Sequence, residues 1–280
     1  MALSSPSLPA FWEILRPFNC AMAGVAAIIG LAIAGSVDLK SSALLFSAVF
    51  LVTGAGNAIN DYYDREIDAV NRPTRPIPRG RISPPLAFKY SLALFILGSI
   101  LAGLVNQICL AVAIINSVLL FFYARNLKAT PLAGNVCVAY LTGSTFLFGG
   151  AASGEAGLLA NRIPFLLSFL ATMSREIAKD SEDMEGDRLG GARTLPILAG
   201  ERLSAGLAAT FALAAIGLSF AAPFGNAYLA IAVVADLFFL QSILKVMRRD
   251  AKGSQKALKI GMAVALLAFL AGALQQLNLF

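Results

Sequence analysis

The chain has 280 residues, 58% of them hydrophobic and only 14% charged, where ordinary soluble domains carry about 25% charge. That leaves too little polar surface to cover a water-soluble body, so most of the chain belongs in lipid, and the absence of histidine removes catalytic triads, His-ligated haem and His-bearing zinc sites. The net charge of +6 gathers in the connections between apolar runs, which makes a lipid bilayer and not nucleic acid the expected partner.

Nine apolar runs follow one another along the chain, each about the length needed to cross hydrocarbon. They are Trp12 to Ala34, Ser41 to Ile59, Leu86 to Val105, Ile108 to Tyr123, Ala133 to Ala152, Ile163 to Ala178, Ser204 to Ala222, Ala227 to Val246 and Leu258 to Leu277. The fourth and sixth are short. Cys20, Cys109 and Cys137 each lie inside such a run, far apart, and read as small core residues. The opening MALSSPSLPA has no basic segment and no cleavage site stands out after the first run, so that run is expected to be retained. The expected fold is an all-α integral membrane protein with nine transmembrane helices in a single domain, 1–280, multi-pass in the cell membrane.

Alternating the connections between two sides gives a test of that count. One side receives all but Lys40 and Arg162 of the 22 basic residues, which makes it cytoplasmic by the positive-inside rule. The N-terminus is then inside and the C-terminus outside. The two long connections, about 60–85 and 179–203, share the cytoplasmic side and hold most of the acidic residues.

The first begins NDYYDREIDAVNRPTRPIPRG. Asn60, Asp64 and Asp68 recur every four residues and Asp61 lies three before Asp64, so one side of a helix end can present all four. Carboxylates this close repel unless a cation or proton compensates them. An oxygen-only donor set without His or Cys favours a hard ion such as Mg²⁺. The second connection, SREIAKDSEDMEGDRLGGARTLPILAG, repeats the scheme with Asp180, Asp183 and Asp187. Asp64 matches Asp183 and Asp68 matches Asp187 at one offset of 119, and Gly80 matches Gly200 at 120, the mark of an internal repeat. Two such clusters are expected to face each other across a cavity and hold two or more ions.

Arginines trail both clusters, Arg72 and Arg75 the first, Arg188 and Arg193 the second, with Lys179 inside the second. Pro73, Pro76 and Pro78 argue for a rigid loop that aims its side chains. Arg16 and Asn19 in LRPFN, and Tyr123, Arg125 and Lys128 in FFYARNLKAT, are read as either interfacial anchors or ligand contacts; the basic run Lys245 to Lys259 is read as a headgroup contact. Asp236, within the eighth run, has no functional reading. Metal ions beside arginines and an apolar chamber suit a diphosphate with a hydrocarbon tail: neutralised, the diphosphate becomes a leaving group, and no protein nucleophile is needed.

NDYYDREIDAVNRPTRPIPRG and KDSEDMEGD resemble the two aspartate-rich motifs of the UbiA superfamily of intramembrane prenyltransferases, and the resemblance runs over nearly the whole chain. It implies a helical bundle with a central cavity under a cytoplasmic cap, holding a Mg²⁺-bound prenyl diphosphate. The implied ligands are Asn60, Asp64 and Asp68 from one motif and Asp183 and Asp187 from the other, and Arg72, Lys128 and Arg16 match diphosphate-holding positions; Asp61 and Asp180, by their place in the clusters, are counted with the metal residues, either closer in to the ion or as helpers behind its ligands. LRPFNCAMA, AVNRPTRPIPRGRIS and REIAKDSEDMEGD with GARTLPI look most similar to the archaeal digeranylgeranylglyceryl phosphate synthases. That branch implies transfer of a geranylgeranyl group from geranylgeranyl diphosphate to geranylgeranylglyceryl phosphate. An aromatic acceptor, as in quinone biosynthesis, is the alternative within the family. An ion-coupled transporter or lipid-binding protein is the alternative outside it, although a transporter places its polar groups nearer the midplane.

Overall fold

The computed structural model describes residues 8–189 and 191–278; the first seven residues of the opening MALSSPSLPA, Gly190 of the second acidic connection, and residues 279 and 280 lie outside them. The described residues are helical throughout apart from short connections, and they divide into two compact units.

The first unit comprises residues up to Ile28 and Val37–Arg125. It holds α1 (Leu8–Leu15), most of α2 (Pro17–Ile33), α3 (Leu39–Tyr63), α4 (Arg65–Asn71), α5 (Pro84–Val105) and α6 (Gln107–Arg125). The first apolar run is therefore not one straight span: α1 and α2 meet at 52°. Pro17 cannot donate a backbone hydrogen bond and crowds the residue before it, and Arg16 turns the chain with φ 54°. Asp38 starts α3 by accepting from the Ser41 backbone N–H at 2.8 Å. The α3–α5 contact is close at Gly98, where a Cβ would stand 2.7 Å from Val52 Cγ2. Ile14, Leu15, Ala55, Ile59, Leu94 and Phe95 belong to this unit's buried core.

The second unit comprises Ile29–Ser36 and residues from Asn126 onward. After a 3₁₀ turn at Leu127–Ala129 come α7 (Ala133–Ala151), α8 (Gly154–Ala160), α9 (Arg162–Leu189), α10 (Leu195–Ala199), α11 (Glu201–Phe220), α12 (Gly225–Met247) and α13 (Ala251–Gln276). α8 and α9 form a second bent pair, at 46°, around Asn161, whose amide donates to Gly30 O at 2.8 Å and Gly157 O at 3.0 Å. The helix does not stop where the sixth apolar run does, at Ala178: α9 continues through the acidic motif to Leu189. Asp236 of α12 is buried and accepts from the Ser219 hydroxyl at 2.7 Å.

Six of these helices are long and apolar enough to cross a membrane, or up to eight if each bent pair makes one span. α7 is not among them; its sequence, AGNVCVAYLTGSTFLFGGA, is rich in Gly, Ser and Thr. Large apolar side chains such as Leu104, Leu237 and Leu244 stay about 60% exposed on these helices, as suits surfaces bathed in hydrocarbon.

The internal repeat is visible inside each unit taken separately. A Cβ on Gly24 would stand 2.5 Å from the Phe46 ring, and one on Gly143 would stand 2.7 Å from the Phe165 backbone oxygen and 2.9 Å from its ring. Both residues of the second pair lie 119 positions after those of the first. Gly80 and Gly200 both adopt positive φ, 70° and 82°, as they reverse the chain after each acidic motif.

Candidate active site

In the first unit the acidic motif straddles a helix break. Asp64, at φ −85° and ψ 0°, ends α3 and begins α4. Asp61 lies on one side of it and Asp68 on the other, seven residues apart in sequence. Both side chains are buried, at 3% and 7% exposure, and both reach one guanidinium nitrogen: Arg75 Nη1 donates to Asp61 Oδ1 at 3.1 Å and to Asp68 Oδ2 at shorter range. Arg16 Nη2 donates to the same Asp61 oxygen. Asn57, one turn before Asp61, sends its amide to Leu15 O at 2.7 Å, a carbonyl left over at the α1–α2 break, and accepts weakly from Arg16 Nη1 at 3.5 Å.

The loop that carries Arg75 is folded tightly. Arg79 N–H donates to Arg75 O at 3.1 Å and Arg81 N–H to Pro76 O at 3.0 Å, with Pro76 and Ile77 buried beneath. The Arg81 side chain pairs with Glu13 of α1. Nearer the water, Asn60 Nδ2 donates to Asp64 Oδ2 at 2.8 Å, leaving an oxygen-rich edge. Arg72 and Asn19 are exposed, and Tyr123 is half-buried near the end of α6; Arg72 and Asn19 join the network through their backbones, Arg72 N–H donating to Asp68 O at 2.8 Å and Asn19 N–H to Arg16 O at 2.9 Å.

In the second unit Asp180 accepts from Asn135 Nδ2 of α7 at 2.8 Å. Buried Glu176, one turn earlier, pairs with Arg175 and, at 3.7 Å, with Lys179. Asp183 is exposed and Asp187 half-buried. The chain after α9 returns on itself, with Ala192 N–H donating to Asp187 O at 2.9 Å and Arg193 N–H to Ala129 O at 3.0 Å, while the Arg193 side chain is exposed and Lys128 is half-buried in the 3₁₀ turn. Asn57, Asn135 and Glu176 were not marked by motif spacing. The 119-residue offset could have found them, because it relates Arg16 to Asn135, Asn57 to Glu176 and Asp61 to Asp180.

Among the described residues no three carboxylates or thiols converge into a ready-made metal cage. The donor chemistry nevertheless fits Mg²⁺. That ion is usually held through one or two carboxylates and completes its shell with water and substrate phosphate, and the Asn60–Asp64 edge supplies hard oxygen donors of this kind.

Comparison with known proteins places these features. The model of the UbiA prenyltransferase family matches residues 21–274. A digeranylgeranylglyceryl phosphate synthase of Methanothrix thermoacetophila is 53% identical over 262 residues, covering 93% of this chain and 97% of the relative. A solved digeranylgeranylglyceryl phosphate synthase structure is 39% identical, with a TM-score of 0.83 and coverage of 96% of this chain and 99% of that one. A UbiA homologue from Archaeoglobus fulgidus, bound to DMAPP and Mg²⁺, shares the fold at 18% identity and a TM-score of 0.68, covering 91% of this chain and 99% of that one.

Proposed function

The chain belongs to the UbiA prenyltransferase family, and from that premise we propose that it transfers a geranylgeranyl group from geranylgeranyl diphosphate to the free hydroxyl of geranylgeranylglyceryl phosphate, forming the second ether bond of an archaeal membrane lipid. The observation that carries the choice of acceptor is the 53% identity, over nearly the full length of both chains, with a synthase of that product.

In the reaction the bond from prenyl C1 to the diphosphate oxygen breaks, the acceptor hydroxyl oxygen bonds to C1, and the hydroxyl proton leaves with the diphosphate or passes to a carboxylate. Asn60, Asp64 and Asp68 in the first unit and Asp183 and Asp187 in the second would hold Mg²⁺, which when bound supplies the positive charge that makes the diphosphate a competent leaving group. The Mg²⁺ of the Archaeoglobus fulgidus homologue supports the same ion here. Arg16, Arg72, Arg75, Lys128, Lys179 and Arg193, with Asn19 and Tyr123, bind and orient the phosphate groups; guanidinium forks match phosphate oxygens. Apolar helix walls exclude water from the allylic carbon while it carries positive charge.

The acidic helix ends face the cytoplasm in this reading, because all but Lys40 and Arg162 of the basic residues fall on their side. With α7, about 28 Å long at 19 residues, counted beside the bent pairs, the chain crosses nine times as one domain, N-terminus inside and C-terminus outside, under a cytoplasmic cap. The test supplies purified protein and Mg²⁺ with labelled geranylgeranyl diphosphate and offers geranylgeranylglyceryl phosphate and aromatic quinone precursors in separate reactions. Label in the diether alone supports the proposal; label only in an aromatic product overturns the acceptor.

A further inference from the structure

We infer that Asp61 is a positioning residue rather than a metal ligand: it holds Arg16 and Arg75 in place for the diphosphate, and Asp180 fills the corresponding anchoring place in the second half of the repeat. The inference rests on the proposed prenyl-diphosphate chemistry and assigns a task within it that motif spacing does not reveal.

Three observations carry it. First, Asp61 is already committed. One of its oxygens accepts from both Arg16 Nη2 and Arg75 Nη1, and its side chain is 3% exposed. A buried carboxylate with two cations against it is compensated and has no call for a third. Asp64, by contrast, is half-buried at the helix break, beside the Asn60 amide.

Second, the contacts join otherwise separate pieces of chain. Arg16 sits in the left-handed turn between α1 and α2, Asp61 lies on α3, and Arg75 lies in the proline-rich loop beyond α4. Within the described residues Arg75 spends only Nη1 on the two aspartates, so Nε and Nη2 remain to meet phosphate oxygens. A guanidinium has five donors in a rigid fork, so fixing one arm aims the other.

Third, the repeat reproduces the arrangement with different chemistry. Asn135 lies 119 residues after Arg16 and Asp180 lies 119 residues after Asp61, and Asn135 Nδ2 donates to Asp180 Oδ2 at 2.8 Å. Both halves use this aspartate to accept from a side chain near the start of a preceding helix, a cation in one half and a neutral amide in the other. What the halves share at this position is an intraprotein hydrogen bond.

The experiment uses full-length protein in detergent with two probes, Mn²⁺ counted by electron paramagnetic resonance and the unreactive analogue geranylgeranyl thiolodiphosphate measured by calorimetry. Asp61→Asn is expected to keep the Mn²⁺ stoichiometry of the unaltered protein while binding the analogue about tenfold more weakly or worse, the scale of a lost charge-assisted hydrogen bond. KM for the prenyl diphosphate should rise more than KM for the acceptor. Asp61→Glu keeps the charge and tests the same point if Asp61→Asn does not fold; it should retain full Mn²⁺ and an intermediate analogue affinity. Fewer Mn²⁺ ions in either variant would make Asp61 a ligand and overturn the inference, as would an analogue affinity unchanged in both. Asp64→Asn, run in parallel, should lose Mn²⁺; if it does not, the metal assignment of the proposed function fails, while the analogue affinities of the Asp61 variants still report on positioning.

Discussion

Replacing Arg75 by Gln separates the two carboxylates it joins. Asp61 keeps Arg16, whereas Asp68, with a side chain only 7% exposed, loses the one cation described against it. Removing one partner of a buried ion pair costs about 3–5 kcal/mol, because the remaining charge stays desolvated. Asp68 lies one helical segment beyond the apolar part of α3, so the lower end, about 3 kcal/mol, is expected. Adding Asp68→Asn removes the stranded charge, and the double variant should recover all but about 1 kcal/mol. The readout is equilibrium unfolding in mixed micelles, followed through Trp12. This is the chain's single tryptophan, and it stacks on Phe50 at 5.7 Å within the same unit, so its emission reports on the part of the protein that is perturbed. A cost below about 1 kcal/mol for Arg75→Gln, the level of an exposed pair, would refute the reasoning, as would a double variant no more stable than the single one. The double variant should remain inactive despite its recovered stability, since Asp68 is assigned to the metal.

Asp64→Asn and Asp187→Asn should each reduce turnover at least about a thousandfold, the scale of a lost electrostatic contribution at a reacting centre, with unchanged helical circular dichroism; near-normal rates would remove these residues from the metal site. Chelation by EDTA should abolish transfer and added Mg²⁺ restore it, and activity that survives exhaustive chelation would contradict the leaving-group chemistry. Gly30→Ala would put a methyl group 2.5 Å from the Phe146 backbone oxygen, an overpacking worth about 1–3 kcal/mol. Gly217→Ala meets nothing within 4 Å and should be neutral or slightly stabilising through helix propensity; equal costs for the two variants would show that the close approach at Gly30 is not maintained in lipid.

Much of this architecture could be read from hydropathy, because each crossing needs a long apolar run and the chain supplies runs of that length one after another. The acidic motifs were legible for a similar reason, since carboxylates every four residues beside arginines are rare at membrane helix ends. Bends and partners were harder to read. Pro17 does signal a stop, but the chain on both sides of it is apolar, and hydropathy averages over the turn at Arg16. At Asp64 no proline or glycine marks the break, so Asp61 and Asp68 looked like successive teeth on one helix when they are two sides of a clamp on Arg75. The second motif looked like a loop from Lys179 onward, yet α9 carries it to Leu189, because DSEDMEGDR has no proline to stop the helix. Asn57 and Asn135 carry no such signal, because a lone amide in an apolar run has no pattern of its own.

Arg16 also shows how selection for stability and selection for activity would pull apart. Its φ of 54° places an ordinary side chain where glycine is at ease, at an expected cost of about 1–3 kcal/mol. Asp61 keeps Arg75 as its partner when position 16 changes, so a screen that rewarded only heat resistance would favour glycine or asparagine there, which relax the turn and discard the guanidinium. A screen for product formation would keep arginine and accept the strained turn. Libraries randomised at this codon and sorted both ways should diverge there, and positions that behave like it are the ones to leave untouched when the enzyme is stabilised for use.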